Sequence, residues 1–333
     1  RSTLFPCTTL FRSDPFTLVE ENGYLYGRGT ADRKTGGGGR VETLIRLKRE
    51  GFKPSHDLIL LLSCAVAWLH QRGWFAGTHL SAVPFSLFGL ALSVFLGFRN
   101  NICYDRWWEA RKQWGELLYL LRNLARESQV MLAAAEPALQ ARLVRRSIGF
   151  AHALLARLRG EDEAAAARPW VDADEGHALG QRADASDTLL LALNMDLADA
   201  LRRGVLSDIV YQGLLQRVAD CAAVQAACER IHNTPAPFAY SLLLHRTAWL
   251  FCLLLPFGLV DVLGPFTPLV VIIVAYTFFG LDALGDELQE PFGLSDNSLP
   301  LRAIVRTIEI DLLDGLGVQP LPPSLKTSDY VLR

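Results

Sequence analysis

Leu80 to Phe98 reads LSAVPFSLFGLALSVFLGF, nineteen residues without a charged side chain. At a rise of about 1.5 Å per residue, a helix of that length matches the hydrocarbon core of a bilayer, about 30 Å thick. Pro84 suits the first turn of such a helix, where its missing N–H costs nothing. Toward the N-terminus, LILLLSCAVAWL from Leu58 to Leu69 is also uncharged, but at twelve residues it crosses only with help from its flanks. Toward the C-terminus a second long apolar block, Thr247 to Ala283, is interrupted by Asp261 and by the pair Gly264 and Pro265, which reads as a helical hairpin with a tight turn. Between the blocks, Asn100 to Pro235 carries most of the charge and has helical periodicity, with Trp107, Trp114, Leu118, Leu121 and Ala125 on one face. This stretch predicts a large water-exposed helical region.

Composition agrees with that division. The chain has 333 residues, 50% of them hydrophobic and 20% charged, with a formal net charge of −2. A mean hydropathy of +0.20 is high for a soluble domain. Disordered, collagen-like and coiled-coil classes are excluded. With 33 basic against 35 acidic residues there is no positive field to hold a polyphosphate backbone, so no nucleic-acid partner is expected. The cysteines, at 7, 64, 103, 221, 228 and 252, form no C-x-x-C pair and read as buried reduced thiols.

Charge also predicts orientation. The turns at 70–79 and 261–265 hold one arginine and no lysine, whereas Arg99, Arg106, Arg111, Lys112, Arg230 and Arg246 crowd the opposite helix ends. By the positive-inside rule the middle region and both termini face the cytoplasm. Trp74, Trp107 and Trp108 stand where an interfacial aromatic belt would lie, and equally where core residues would.

The Leu80–Phe98 helix carries two stripes. Gly89, Ser93 and Gly97 repeat every four residues as a small-residue face, which lets neighbouring helix backbones approach closely in lipid. Beside it run Leu90, Val94 and Phe98. Around a shared axis these three would stack as apolar rings and gate by dewetting; the alternative is an ordinary lipid-facing or core stripe.

Three ordered blocks resemble the bacterial branch of the bestrophin family over about residues 62–320. They are FLGFRNNICYDRWWEARKQWGELL from Phe95 to Leu118, NTPAPFAYSLLLHR from Asn233 to Arg246, and YTFFGLDALGDELQEPFG from Tyr276 to Gly293 followed by EIDLL from Glu309 to Leu313. The resemblance implies an all-α, pentameric ion channel around one central pore, with four membrane helices per subunit and a large cytosolic region. The membrane helices then fall at about 57–72, 81–100, 238–260 and 265–284, and the cytosolic helices at about 101–235 and 285–315; from the residues themselves, Pro320, Pro322 and Pro323 end regular structure, so the tail at 321–333 reads as loosely attached. The family's hydrophobic neck aligns with Leu90, Val94 and Phe98, the stripe found from periodicity. Its second, cytosolic narrowing aligns with Ile209 in LSDIV, where a buried isoleucine is the plain alternative.

In the calcium-gated branch the Pro-Phe-Gly turn leads into a run of acidic residues. Here Pro291, Phe292 and Gly293 lead into Leu294, Ser295, Asp296 and Asn297, too few hard oxygen ligands for a calcium cage. Asp282, Asp286, Glu287 and Glu290, at the cytosolic end of the last membrane helix, either attract cations or pair with nearby arginines, and pairing is favoured. Members of the family pass anions or cations, so the choice between chloride and monovalent cations stays open. His245 and Arg246 either present charge to a vestibule or snorkel to the interface.

The first segment reads differently. DPFTLVEENGYLYGRGTADRK and LIRLKREGFKPSHDLILLL, within Asp14 to Leu62, resemble zinc-dependent peptidases of the aminoacylase and carnosinase type. Asp32 stands where that family's aspartate bridges two metals. Arg33 replaces the next polar ligand, no histidine precedes His56, and SCAVAWLHQ replaces the paired glutamates. One orphan aspartate does not hold a dinuclear site, so no metal is expected. Gly36 to Gly39 lack a phosphate-cradling Walker pattern. Residues 2–13, STLFPCTTLFRS, resemble a translated sequencing-library adapter with one residue changed. The chain thus reads as a chimera of an adapter-like stretch (1–13), a truncated peptidase-like fragment (14–60) and a channel domain (61–320) lacking its own N-terminal segment.

The expected activity is passive ion flow, with no catalytic residue and no cofactor. The expected partners are the bilayer, further copies of the chain as a homopentamer, and inorganic ions, in a bacterial inner membrane. A metal-dependent amidohydrolase and a non-conducting membrane scaffold are the alternatives.

Overall fold

The computed structural model describes residues 19–21, 24–26, 56–74 and 81–325. Asp32, Gly36 to Gly39, Cys7, residues 2–13 and the last eight positions of the tail lie outside the described residues. The chain divides into two compact units, one of residues 1–89 with 245–277, the other of residues 90–244 with 278–333.

In the first unit, β1 (Val19–Glu21) and β2 (Tyr24–Tyr26) pair antiparallel, with Val19 opposite Tyr26. The dipeptide between them is Asn22-Gly23, the strongest short hairpin signal in a sequence. These strands stand outside the helical part that the all-α expectation concerns. The apolar elements of this unit are α1 (His56–Gln71), the first turns of α2 (Ala82–Leu132), α8 (Phe238–Leu263) from His245 onward, and α9 (Thr267–Gln289) as far as Thr277. A 3-10 turn, Gly264–Phe266, separates α8 from α9, and Gly264 adopts φ +52°, which a side chain would strain. The turn expected at Gly264 and Pro265 is therefore present. At the ends of α1 and α8, His70 Nδ1 lies 3.5 Å from an Asp261 carboxylate oxygen.

Close packing in this unit is carried by glycine against aromatic rings. The Phe85 ring packs on Gly258, where an added Cβ would meet it at 2.4 Å. Phe251 approaches Gly89 with the tip of its ring, Cζ lying 3.0 Å from where a Cβ would sit, and its ring centroid is 5.8 Å from that of Phe88. The stretches Ala82–Leu132 and Ala239–Gln289 are long and apolar enough to cross a membrane, yet only 17% and 22% of their most apolar windows are buried. A core helix of a water-soluble protein hides its apolar side chains from solvent. Here Leu250, Leu254, Val262 and Ile273 all remain exposed.

The second unit is a helical stack around one large apolar core. It contains most of α2, then α3 (Pro137–Arg159), α4 (Glu163–Ala167), α5 (Ala173–Leu179), α6 (Ala185–Arg202), α7 (Asp208–Asn233) and α10 (Leu301–Gly315). α3 packs against α4, α6 and α10, and α6 packs against α7. The helix starts carry side-chain caps that satisfy orphan N–H groups: Asp162 accepts from Ala165 N–H at 2.9 Å and Asp184 from Asp187 N–H at 2.8 Å. α3 ends at Gly160, whose φ of +68° makes the left-handed C-cap. Arg157 ties three helices by reaching Glu163 at 2.8 Å, Glu229 at 2.7 Å and Asp184 at 3.2 Å.

The face read from periodicity is the buried one: Trp114 and Leu121 are buried in the core, with Trp107, Leu118 and Ala125 packed partly buried against it. Of the tail expected at 321–333, only its first residues are described. Leu316, Val318 and Leu321 pack against the core, because α10 ends in apolar residues that continue its buried face past the helix.

Candidate functional site

α2 runs unbroken for 51 residues, so the apolar residues from Ala82 to Phe98 and the charged helix after them form one continuous helix. Ser81 Oγ accepts from Val83 N–H at 3.3 Å, and Pro84 falls in the first turn, where it breaks no helical hydrogen bond. Within the second unit the helix has two sharply different sides. Leu92, Leu96, Arg99, Cys103, Ala110, Trp114, Leu117, Leu121 and Leu124 are buried. Their spacing of four and three residues is the heptad pattern of a helix seam. On the other side Leu90, Val94 and Phe98 are 64%, 46% and 56% exposed. Among the described residues nothing covers them.

The small-residue face divides. Gly89 receives Phe251 of the same chain, Gly97 has nothing within 4 Å of where a Cβ would sit, and Ser93 turns its hydroxyl back to Leu90 C=O at 2.8 Å. Gly89 thus serves packing within the chain, since the bulky ring of Phe251 needs the room.

Immediately past Phe98, the helix is stitched to the end of α9. Arg99, 1% exposed, donates from Nη1 to Asp282 Oδ1 at 2.6 Å and to Asp282 C=O at 3.2 Å, and from Nη2 to Asp286. Asn100 Nδ2 donates to Leu281 C=O at 3.0 Å. Arg106 Nε donates to Gln289 C=O at 2.9 Å, and Trp107 Nε1 to Asn297 C=O at 2.9 Å. The pairing expected for the acidic group therefore holds for Asp282 and Asp286, and Glu287 accepts from the Asn297 amide. Burial lowers the pKa of Arg106, with Cys103, Glu109 and Glu290 opposing that shift. Tyr240 Oη donates to Phe95 C=O at 3.1 Å, so the segment just before α8's apolar run also braces this part of the helix.

Ile209 is 84% exposed, which overturns the plain reading of a buried isoleucine. It sits in the first turn of α7 behind the N-cap Ser207 and lines a cavity of about 520 Å³ with Gln212, Gly213, Leu215, Gln216 and Ala219. One helix face presenting an isoleucine and two glutamines to open space is chemically neutral. Like the stripe on α2, it offers no fixed charge. Phe292 is buried at the Pro291–Gly293 turn, and Gly293 N–H reaches Glu290 C=O at 3.1 Å. His245 Nε2 accepts from Trp249 Nε1 at 3.1 Å, and Arg246 is exposed.

Sequence reasoning placed Arg99 only among the charges that set orientation. Its burial in the seam was readable in one respect: Arg99 continues the spacing of Leu92 and Leu96, where an apolar residue belongs.

Comparison with known proteins agrees with this architecture. Residues 54–314 match the family profile described as Bacterial/Fungal Bestrophin protein, and residues 5–65 match Peptidase family M20/M25/M40. The chain is 44% identical to the voltage-dependent anion channel-forming protein mll4386 of Mesorhizobium japonicum, over 71% of this chain and 76% of that protein. It is 41% identical to the voltage-dependent anion channel-forming protein YneE of Escherichia coli (strain K12), over 82% of this chain and 90% of that one. A crystal structure of a bacterial bestrophin homolog from Klebsiella pneumoniae superimposes with a TM-score of 0.76 at 38% identity, covering 80% of this chain and 98% of that one. With α2, the helical stack and the Pro291–Gly293 turn all inside the matched span, the chain belongs to the bestrophin family and is a membrane protein.

Proposed function

We propose that the chain is one subunit of a homopentameric anion channel of a bacterial inner membrane, with both termini cytoplasmic. Ions flow passively through a central pore walled by five copies of α2, and no residue acts as a catalyst. Leu90, Val94 and Phe98 form the neck, three stacked apolar rings that dewet when narrow and conduct when wide. Ile209 forms a second narrowing at the cytosolic end, and α1, the start of α2, α8 and α9 are the four membrane helices. The observation that carries this reading is the uncovered apolar stripe on α2, which alternates with a seam buried within the chain. The choice of anions rests on the names of the relatives, since an apolar neck selects by shape and hydration and not by charge. The peptidase-like match, residues 5–65, overlaps the start of the bestrophin match, residues 54–314, and an enzyme reading has only Asp32 to stand on.

Planar-bilayer recording of wild type beside Leu90→Ala, Val94→Ala and Phe98→Ala tests the neck. At least one truncation should raise current several-fold, on the order of 1 kcal/mol of barrier, because each removes apolar bulk from a ring. Unchanged conductance in all three would reject the assignment.

A further inference from the structure

The buried seam of α2 is apolar except at Ser128 and Arg99, and Arg99, its one buried charge, is one residue past Phe98. Arg99 is 1% exposed, and among the described residues its Nε has no hydrogen-bond partner. Its two terminal nitrogens carry the whole attachment, to Asp282, whose side chain is 7% exposed, and to Asp286, whose side chain is 66% exposed. Asn100 follows with its amide N–H₂ on Leu281 C=O, while its Oδ1 is buried and has no hydrogen-bond partner among the described residues. Both side chains press on Gly285: an added Cβ there would lie 2.5 Å from Asn100 Oδ1 and 3.1 Å from Arg99 Nη1. An apolar seam tolerates sliding, since one leucine replaces another with little loss. A single buried charge does not, because any other register leaves it desolvated and unpaired.

We propose that the Arg99–Asp282–Asp286 cluster, seated on Gly285, is a pin that fixes the axial register and tilt of α2 against α9 and thereby holds the ring at Phe98 narrow. Arg99, Asp282 and Asp286 are positioning residues: they act on permeation through Phe98 and not by meeting the ion. The inference rests on the neck reading above. Loosening the pin lets the cytosolic half of α2 move outward, and the free energy of wetting an apolar ring falls as its radius grows.

The test uses the full chain in planar bilayers, with open probability, unitary conductance and reversal potential read separately. Asp282→Asn and Gly285→Ala should each raise open probability at least about fivefold, with unitary conductance and reversal potential as in wild type. Asp286→Asn, at the more exposed carboxylate, should act in the same direction and keeps the measurement available where Asp282→Asn fails to assemble. In a Phe98→Ala background Asp282→Asn, or Asp286→Asn in its place, should have no further effect, since the ring it acts through is gone. An open probability unchanged or lowered in the single variants, or an equal rise in the Phe98→Ala background, overturns the pin. Wild-type currents in Phe98→Ala itself would overturn the pin's action through Phe98, whereas the neck is overturned only when Leu90→Ala and Val94→Ala are without effect as well.

Discussion

Phe98 and Arg99 are adjacent in sequence and lie in opposite environments, one half exposed on the uncovered stripe and the other sealed in the seam. A helix turns by about 100° per residue, so neighbours on the chain point to different faces. The stripe was legible because its i, i+4 spacing lies within one turn. The pin was not, because Asp282 and Asp286 are 183 and 187 residues away in the chain. Removing one member of such a buried pair costs about 3–5 kcal/mol, since the remaining charge keeps its desolvation penalty and loses its partner. Cysteine chemistry makes a second statement at this scale. Burial pushes the Cys221 and Cys228 thiols on α7 up to about 12 from the usual 9.0. Their thiolate fraction at pH 8 should therefore be about a thousandfold below that of an ordinary thiol. Maleimide applied to the folded protein at pH 8 should leave both unmodified, as peptide mass mapping checks, and label both rapidly after SDS. Rapid labelling of either in the folded protein would contradict its burial.

At the scale of elements, α2 joins what the sequence suggested were two parts, a membrane helix ending near residue 100 and a cytosolic helix beginning at 101. The change from apolar to charged composition marks a change of solvent, and the backbone hydrogen bonds continue through it. The membrane-side packing depends on glycine positions that sequence alone does not rank. Gly258 accepts the Phe85 ring so closely that Gly258→Ala forces a shift of ring or backbone. That change should destabilise the protein by about 1–3 kcal/mol, and Phe85→Leu should recover part of the loss by removing the ring. Thermal unfolding in detergent of the two single variants and the double would show it. Equal melting of Gly258→Ala and wild type would contradict the close approach. Gly97, with open space where its Cβ would go, should accept alanine without loss when the chain is alone.

For the whole molecule, the exposed apolar stripe, exposed Ile209 and the unburied faces of the membrane stretches are each costly in water for a single chain. In the proposed assembly, lipid would cover some of this surface and further copies the rest. Native mass measurement of the detergent-solubilised protein should give five copies, and a monomer would remove the pore altogether. Under a KCl gradient the reversal potential should move toward the chloride equilibrium value; a shift toward the potassium value would assign cations. Residues 5–65, with their peptidase-like match, should bind no stoichiometric zinc, as elemental analysis of the purified protein checks, because Asp32 brings no second ligand set with it.

Local order along the chain determined most of what was readable from sequence: apolar runs, the 3.6-residue periodicity of the charged region, the turn at Gly264 and Pro265, and the two stripes on one helix. Each of these is a property of residues within a few turns of one another, and each depends on solvent and backbone geometry alone. Tertiary structure decided which stripe the chain buries for itself, that Gly89 receives Phe251, that Ile209 is uncovered and that Arg99 lies sealed against α9. Those outcomes depend on partners far apart in sequence, and a charge in an apolar seam has a meaning only once the residues that neutralise it are in place.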